Sequence, residues 1–154
     1  MLLEQAGRVI RLAREDATMT QAELADGAGV QQPTISAYES GAKTPRVDTL
    51  RKILAAARTR PSIPLMVYAE EIRNAATERG LSNVRVFGSA VRGRDTESSD
   101  IDLLVSVSDS STIFDVARFV NAVEQITGFD VDVLTDRQVH NPFFAHVLTE
   151  AVPL

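Results

Sequence analysis

The chain has no cysteine. That removes disulfides, thiolate metal sites and cysteine nucleophiles from consideration. No apolar run approaches the ~20 residues that a bilayer-crossing helix requires. The first residues, MLLEQAGRVIRLARED, mix acids and arginines through an amphipathic pattern and lack the basic-then-apolar plan of a signal peptide. A cytoplasmic protein with no membrane association is the expectation. Lysine is nearly missing too: Lys43 and Lys52 are the only two, so residues 61–154 rely on arginine alone for positive charge. No internal repeat and no low-complexity stretch is visible.

What is present is divided unevenly. Residues 1–60 hold 9 Lys/Arg against 7 Asp/Glu, whereas residues 61–154 hold 7 Arg against 14 Asp/Glu. The first portion can approach a polyanion; the second repels one unless cations intervene. Two domains with different ligands follow, 1–60 and 61–154, with Pro61-Ser62-Ile63-Pro64 as the seam.

In the first portion, Leu2, Leu3, Ala6, Val9, Ile10, Ala13 and Ala17 recur at helical spacing. Thr20 with Glu23 forms a capping-box pattern ahead of a short second helix, and Gly29 suits a left-handed stop. A third helix begins near Gln31 with Pro33 in its first turn, buries Ile35 and Tyr38, and stops at Gly41. A fourth spans Val47 to Ala57. Two short helices joined by a tight glycine-containing turn form a helix-turn-helix plan. The stretch TQAELADGAGVQQPTISAYESGAKTPRVDTLRKILAA resembles the phage-repressor (Xre/Cro/CI) family, through Gln21, Ala25, Gly29, Ile35, Glu39, Gly41, Pro45 and Leu50. The resemblance implies a five-helix DNA-binding domain whose third helix enters the major groove of an operator duplex. Gln31, Gln32, Thr34 and Ser36 supply uncharged hydrogen-bonding groups at the start of that helix. Gln21, Lys43 and Arg46 are placed for phosphates. A net charge of only +2 is a weak footprint for a lone domain, so a homodimer is expected.

The second portion reads as an α/β module with a small mixed sheet. A helix is expected over Leu65 to Arg79, then a strand over Asn83 to Phe87 and a helical turn over Ser89 to Arg94. A central, doubly buried strand follows over Ile101 to Val107. After it come an amphipathic helix over Thr112 to Ile126, with Phe114, Ala117, Val120, Val123 and Glu124 marking its faces, and a strand over Phe129 to Leu134. Asn141-Pro142 caps a last helix through Phe143, Phe144, Val147 and Leu148.

The chemistry gathers at Val86 to Val107. Asp100 and Asp102 head an apolar strand at a spacing of two, which aims both at one face with Cα atoms about 6.5 Å apart. Carboxylates that close repel, and a divalent cation such as Mg²⁺, carrying substrate phosphate oxygens, removes the conflict. Gly88-Ser89, at a strand-to-helix turn just upstream, suits a phosphate cradle. A third carboxylate is sought on the next strand, where Asp132 lies deep and Asp130 at the entry; Asp132 is favoured and Asp130 is read as a surface residue. Arg92 is either a phosphate partner or a solvated side chain. His140 and His146 are read as packing or surface residues rather than ligands.

The frame Gly88-Ser89, Gly93 and Ser99-Asp100-Ile101-Asp102, with Asp132 following, resembles the polymerase-β-like nucleotidyltransferases, most closely the minimal nucleotidyltransferases (MNT). PFFAHVLTEAVPL is similar to their closing helix. The resemblance implies two Mg²⁺ ions held by Asp100, Asp102 and Asp132, and phosphates bound by Gly88, Ser89 and Arg92. It also implies transfer of a nucleoside monophosphate from ATP or another NTP. Members of this group act as antitoxins that add AMP to HEPN-type toxins, which implies such a toxin as protein partner and autoregulation through the DNA-binding portion. The other reading is a DNA-binding regulator whose nucleotidyltransferase fold senses nucleotide or mediates assembly without turnover.

Overall fold

The computed structural model describes residues 3–154. Leu2, counted above in the first helix, lies outside them. The helix α1 (Ala6–Asp16) buries Ala6, Val9, Ile10 and Ala13. Thr20 caps α2 (Gln21–Ala28) through the expected reciprocal pair: its hydroxyl accepts the Glu23 N–H while its own N–H donates to the Glu23 carboxylate at 2.7 Å. Gly29 ends α2 with φ of 66°. The helices α3 (Gln32–Glu39) and α4 (Val47–Ala56) follow, anchored by Ile35, Leu50 and Ile53.

Here the seam differs from expectation. Pro61 to Pro64 is not a bare connection. Ser62–Val67 forms a fifth helix, α5, and Ala69–Thr77 a sixth, α6, in place of one helix from Leu65 to Arg79. Pro64 is tolerated because it falls in the first turn of α5, where its missing N–H has no intrahelical partner. The break is at Tyr68, fully buried with φ −101° and ψ 20°. α5 packs on α1, and one continuous apolar core runs from Ile10 and Leu24 through Ile63 and Tyr68 to Leu103 and Phe119.

The sheet has the order β3-β2-β1-β4. β1 (Leu81–Phe87) pairs antiparallel with β2 (Ile101–Val107). β2 pairs parallel with β3 (Val131–Thr135) after the crossover helix α7 (Ile113–Thr127). The sheet is therefore mixed and β2 is internal, as expected. Its Ile101, Leu103, Leu104 and Val105 are all fully buried, because both faces are covered. Phe119, Val123 and Ile126 of α7 cover one face, and Phe114 is exposed at the start of that helix. On the other face Phe87 and Leu104 meet Val139 and Val147. The last segment is not one helix. A 3-10 turn (Pro142–Phe144, capped by Asn141) leads into α8 (Ala145–Glu150), and Val152–Pro153 then adds β4 antiparallel to β1.

Gly7 lies where α1 crosses α3. A Cβ there would run into the Tyr38 carbonyl oxygen and stand 3.2 Å from the carbonyl carbon, both backbone atoms that cannot rotate away. Gly7→Val should therefore destabilise the chain by about 1–3 kcal/mol through overpacking. A lowered urea midpoint with an unchanged m-value checks this.

Candidate active site and helix-turn-helix face

The parallel register of β2 and β3 sets Asp102 directly beside Asp132. Neighbours across a sheet share a face, so both carboxylates leave the same side. Asp100, two residues before Asp102, shares it. Asp130 holds the start of the pairing, where its carbonyl accepts the Ile101 N–H at 2.9 Å. The acids thus form two rungs, Asp102 with Asp132 within the ladder and, with the register extended one step ahead of Ile101 and Val131, Asp100 with Asp130. Asp100 and Asp130 line one cleft of about 240 Å³ together with Ser99, Gly128 and Phe129. Asp130 is exposed, in line with its reading as a surface residue, but Asp132 is exposed as well rather than deep. β3 is an edge strand, and only Val131 of it is buried.

Asp102 is the half-buried member. Burial first, then the charges of Asp132 and Asp100, push its carboxyl above the ordinary aspartate range; Arg92 opposes this and Glu150 adds to it. Gly88 closes the site from β1. Its φ is 74°, and a Cβ there would collide with the Asp102 carboxylate, 2.8 Å from its Cγ. Glycine is needed twice over, for the left-handed turn and for the approach of Asp102. The chain then makes the expected helical turn, with Arg92 N–H donating to the Gly88 carbonyl at 3.3 Å and Arg94 N–H to that of Ser89 at 3.0 Å. Ser89 is half-buried beside this turn. Arg92 is not simply solvated: its Nη1 lies 2.5 Å from Glu150 Oε1, joining the turn to α8. Glu150 carries no sequence signal of its own and was missed for that reason. His140 and His146 are both exposed.

Among the described residues no three Asp, Glu or His side chains are gathered into a ready metal-ligand set. The chemistry of the donor set nevertheless fits a divalent cation. Burial, and then the charges of Asp132 and Asp100, hold Asp102 above its ordinary range. A hard cation with oxygen ligands relieves that repulsion.

In the helical portion a buried ion pair organises the surface. Glu39, 8% exposed, receives Arg14 Nε at 2.6 Å and Nη2 at 3.1 Å. Burial alone raises its pKa, but hydrogen bonds from Arg14 and Gln21 and the charges of Arg14 and Arg11 leave it below the ordinary glutamate value. The Gln21 amide donates to Glu39 at 2.9 Å and accepts from Gln32 Nε2 at 2.8 Å. Gln21 is therefore engaged within the fold and orients Gln32. Gln31 and Gln32 are exposed at the start of α3, Thr34 and Ser36 half-exposed along it, and Lys43 and Arg46 exposed in the loop that follows.

Comparison with known proteins places both portions. Residues 10–63 match the helix-turn-helix family, and residues 70–154 match the family described as polymerase beta, nucleotidyltransferase. A candidate protein adenylyltransferase of Methanocaldococcus jannaschii is 35% identical over 75 residues, 49% of this chain and 81% of that protein. The protein adenylyltransferase MntA of Thermococcus cleftensis is 30% identical over 89 residues, 57% of this chain and 86% of its own length. A solved structure of a candidate minimal nucleotidyltransferase superposes with a TM-score of 0.56 at 36% identity, covering 60% of this chain and 95% of that one. The acid rungs and the Gly88 turn fall inside the longer matched segment, which takes in more than half of the chain, and the chain accordingly belongs to the polymerase-beta nucleotidyltransferase family, as an enzyme with a helix-turn-helix segment ahead of its catalytic fold.

Proposed function

We propose that the chain transfers AMP from ATP to a hydroxyl of a partner protein, a HEPN-type toxin, and so acts as its antitoxin. On this reading residues 61–154 are the transferase and residues 1–60 a DNA-binding unit. The observation that carries the chemistry is the pairing of Asp102 with Asp132 behind a glycine whose added Cβ would run into the Asp102 side chain. The relatives named protein adenylyltransferases support a protein acceptor and AMP.

Asp100, Asp102 and Asp132 would hold Mg²⁺, which supplies charge neutralisation on the triphosphate and on the attacking and leaving oxygens. The Gly88-Ser89 turn would receive the outer phosphates, Ser89 by its hydroxyl. Arg92 would complete their neutralisation, with Glu150 holding its guanidinium toward the site. The acceptor oxygen would bond to the α-phosphorus, the bond to the bridging oxygen would break, and pyrophosphate would leave; the hydroxyl proton passes to a carboxylate or to water. The helix-turn-helix unit would bind operator DNA as a homodimer and regulate its own operon, in the cytoplasm. Gln31, Gln32, Thr34 and Ser36 would face base edges, and Gln21, Lys43 and Arg46 the backbone.

The transfer is checked with α-labelled ATP, Mg²⁺ and the product of the adjacent gene. Label should appear on the partner and fall by at least ~10²-fold in Asp100→Ala/Asp102→Ala. Absence of transfer by wild type alongside intact operator binding would favour a regulator that senses nucleotide without turnover.

A second expectation concerns pH. A carboxyl whose folded pKa is raised disfavours folding above that pKa, and the cost fades as pH falls through it. With chelator present, Asp102→Asn should melt higher than wild type at pH 7, and the gap should close as pH approaches 4. A gap that ignores pH would remove charge as its cause.

On DNA, Gln32→Ala should weaken binding to the operator by ~1–3 kcal/mol if Gln32 makes a bidentate base contact. Equal loss on unrelated duplexes, in a titration at fixed salt, would assign Gln32 to the backbone instead.

A further inference from the structure

Asp95 is an unexpected residue to find buried. It lies in the polar segment between the Gly88 turn and Asp100, yet its side chain is 0% exposed. A carboxylate taken out of water needs partners on both oxygens. Its partners come from outside the sheet. Ser62 N–H, at the start of α5, donates to Oδ2 at 2.8 Å, and Arg60 Nη1 approaches Oδ1 at 3.4 Å. Arg60 is held in turn by the end of α1: its Nε and Nη2 donate to the two oxygens of Asp16 at 2.9 and 2.8 Å.

From Asp95 to Asp100 the path is short and tied. The Thr96 N–H donates to Ser99 Oγ at 2.9 Å, and the Ser99 N–H returns to the Thr96 carbonyl at 3.0 Å. Ile101 N–H then locks onto Asp130. The segment is also wedged between the two portions. Glu97 lines a cleft of about 370 Å³ against Arg51, Leu54 and Thr59 of the helical portion, as well as the smaller cleft with Asp100 and Asp130. Asp100 therefore sits between one anchor at Asp130, just ahead of β3, and another, Asp95, fixed by Arg60 and Ser62.

We propose that Asp95 is a positioning residue: clamped by Arg60 and the Ser62 amide, it sets where Asp100 stands relative to Asp102, and the seating of α1 thereby governs how well the acid rungs hold a cation. This rests on the reading that the rungs bind a divalent cation, and it adds a link from the helix-turn-helix portion to the catalytic end of the sheet. Loss of groups that hold metal ligands in place typically weakens metal binding by about 10–100-fold.

The test uses the full chain and Mn²⁺ as probe, with wild type, Asp95→Asn, Arg60→Ala, Arg60→Lys and Asp16→Ala. Mn²⁺ affinity is read by electron paramagnetic resonance, and amide exchange by mass spectrometry of peptides covering 96–102 and 81–87. Asp95→Asn and Arg60→Ala should weaken Mn²⁺ about tenfold, with faster exchange in 96–102 and none of it in 81–87. Arg60→Lys should recover part of both effects. Asp16→Ala leaves the buried carboxylate and its contacts intact, so it keeps the question open to measurement if Asp95→Asn fails to fold; its shift should be smaller and in the same direction. Unchanged Mn²⁺ affinity and exchange in these variants would overturn the proposal, as would exchange rising equally in both peptides. Wild type that binds no Mn²⁺ would sink the cation reading itself, and the exchange contrast alone would then judge whether Asp95 anchors the segment.

Discussion

The parallel pairing of β2 with β3 is the contact on which the acid end of the sheet depends. It is made of backbone hydrogen bonds, and it carries two aspartates into the same plane at no side-chain choice of its own. Parallel strands require a crossover, supplied here by α7, and the helix seals one face of the sheet as it crosses. Sealing makes β2 a buried strand, which leaves its first residues as the place where polar groups can meet solvent. Asp100 and Asp102 occupy that mouth. The apolar core and the acid rungs are consequences of a single topology, and neither can be moved without the other.

Electrostatics at this mouth is unfavourable in the protein by itself. Half-burial and three neighbouring acids disfavour the Asp102 anion, and only Arg92 among its cited neighbours opposes that trend. A fold tolerates such a site where binding energy returns what folding gives up. The helix-turn-helix portion solves the opposite problem. Its buried acid, Glu39, is fully matched by Arg14 and Gln21, and the matching extends outward to Gln32. The buried Glu39 carboxylate is held as structure, and the half-buried Asp102 is left in want of charge.

Much of this was legible in the residues. The Thr20–Glu23 cap, the Gly29 stop and the span of β2 follow from local rules, and the expectation of an acid on a neighbouring strand led to Asp132, which the register sets beside Asp102. The turn at Gly88, where an apolar strand gives way to a polar, glycine-containing segment, is local as well. What escaped has a common physical basis. The helix at Ser62–Val67 was hidden because proline was read as a breaker without regard to its place in the first turn. Glu150 meets Arg92 across 58 positions, and Asp95 meets Arg60 and Ser62 across 35 and 33; contacts at that range have no periodicity or cap to announce them. Asp132 was located correctly beside Asp102 but expected to be deeper, since a valine on either side reads the same in an edge strand as in an inner one.

The short strand β4 has an effect beyond completing the sheet. Leu154 N–H turns inward to the Val84 carbonyl, so the nitrogen of the preceding residue turns outward, and that residue is Pro153. The free margin of the sheet is thereby missing the donor that an incoming strand would seek. An open row of backbone amides invites other chains to stack, and a ring nitrogen in that position ends the row. A single imino acid at this rim thus works against fibril growth and edge-to-edge pairing at the β4 side of the sheet.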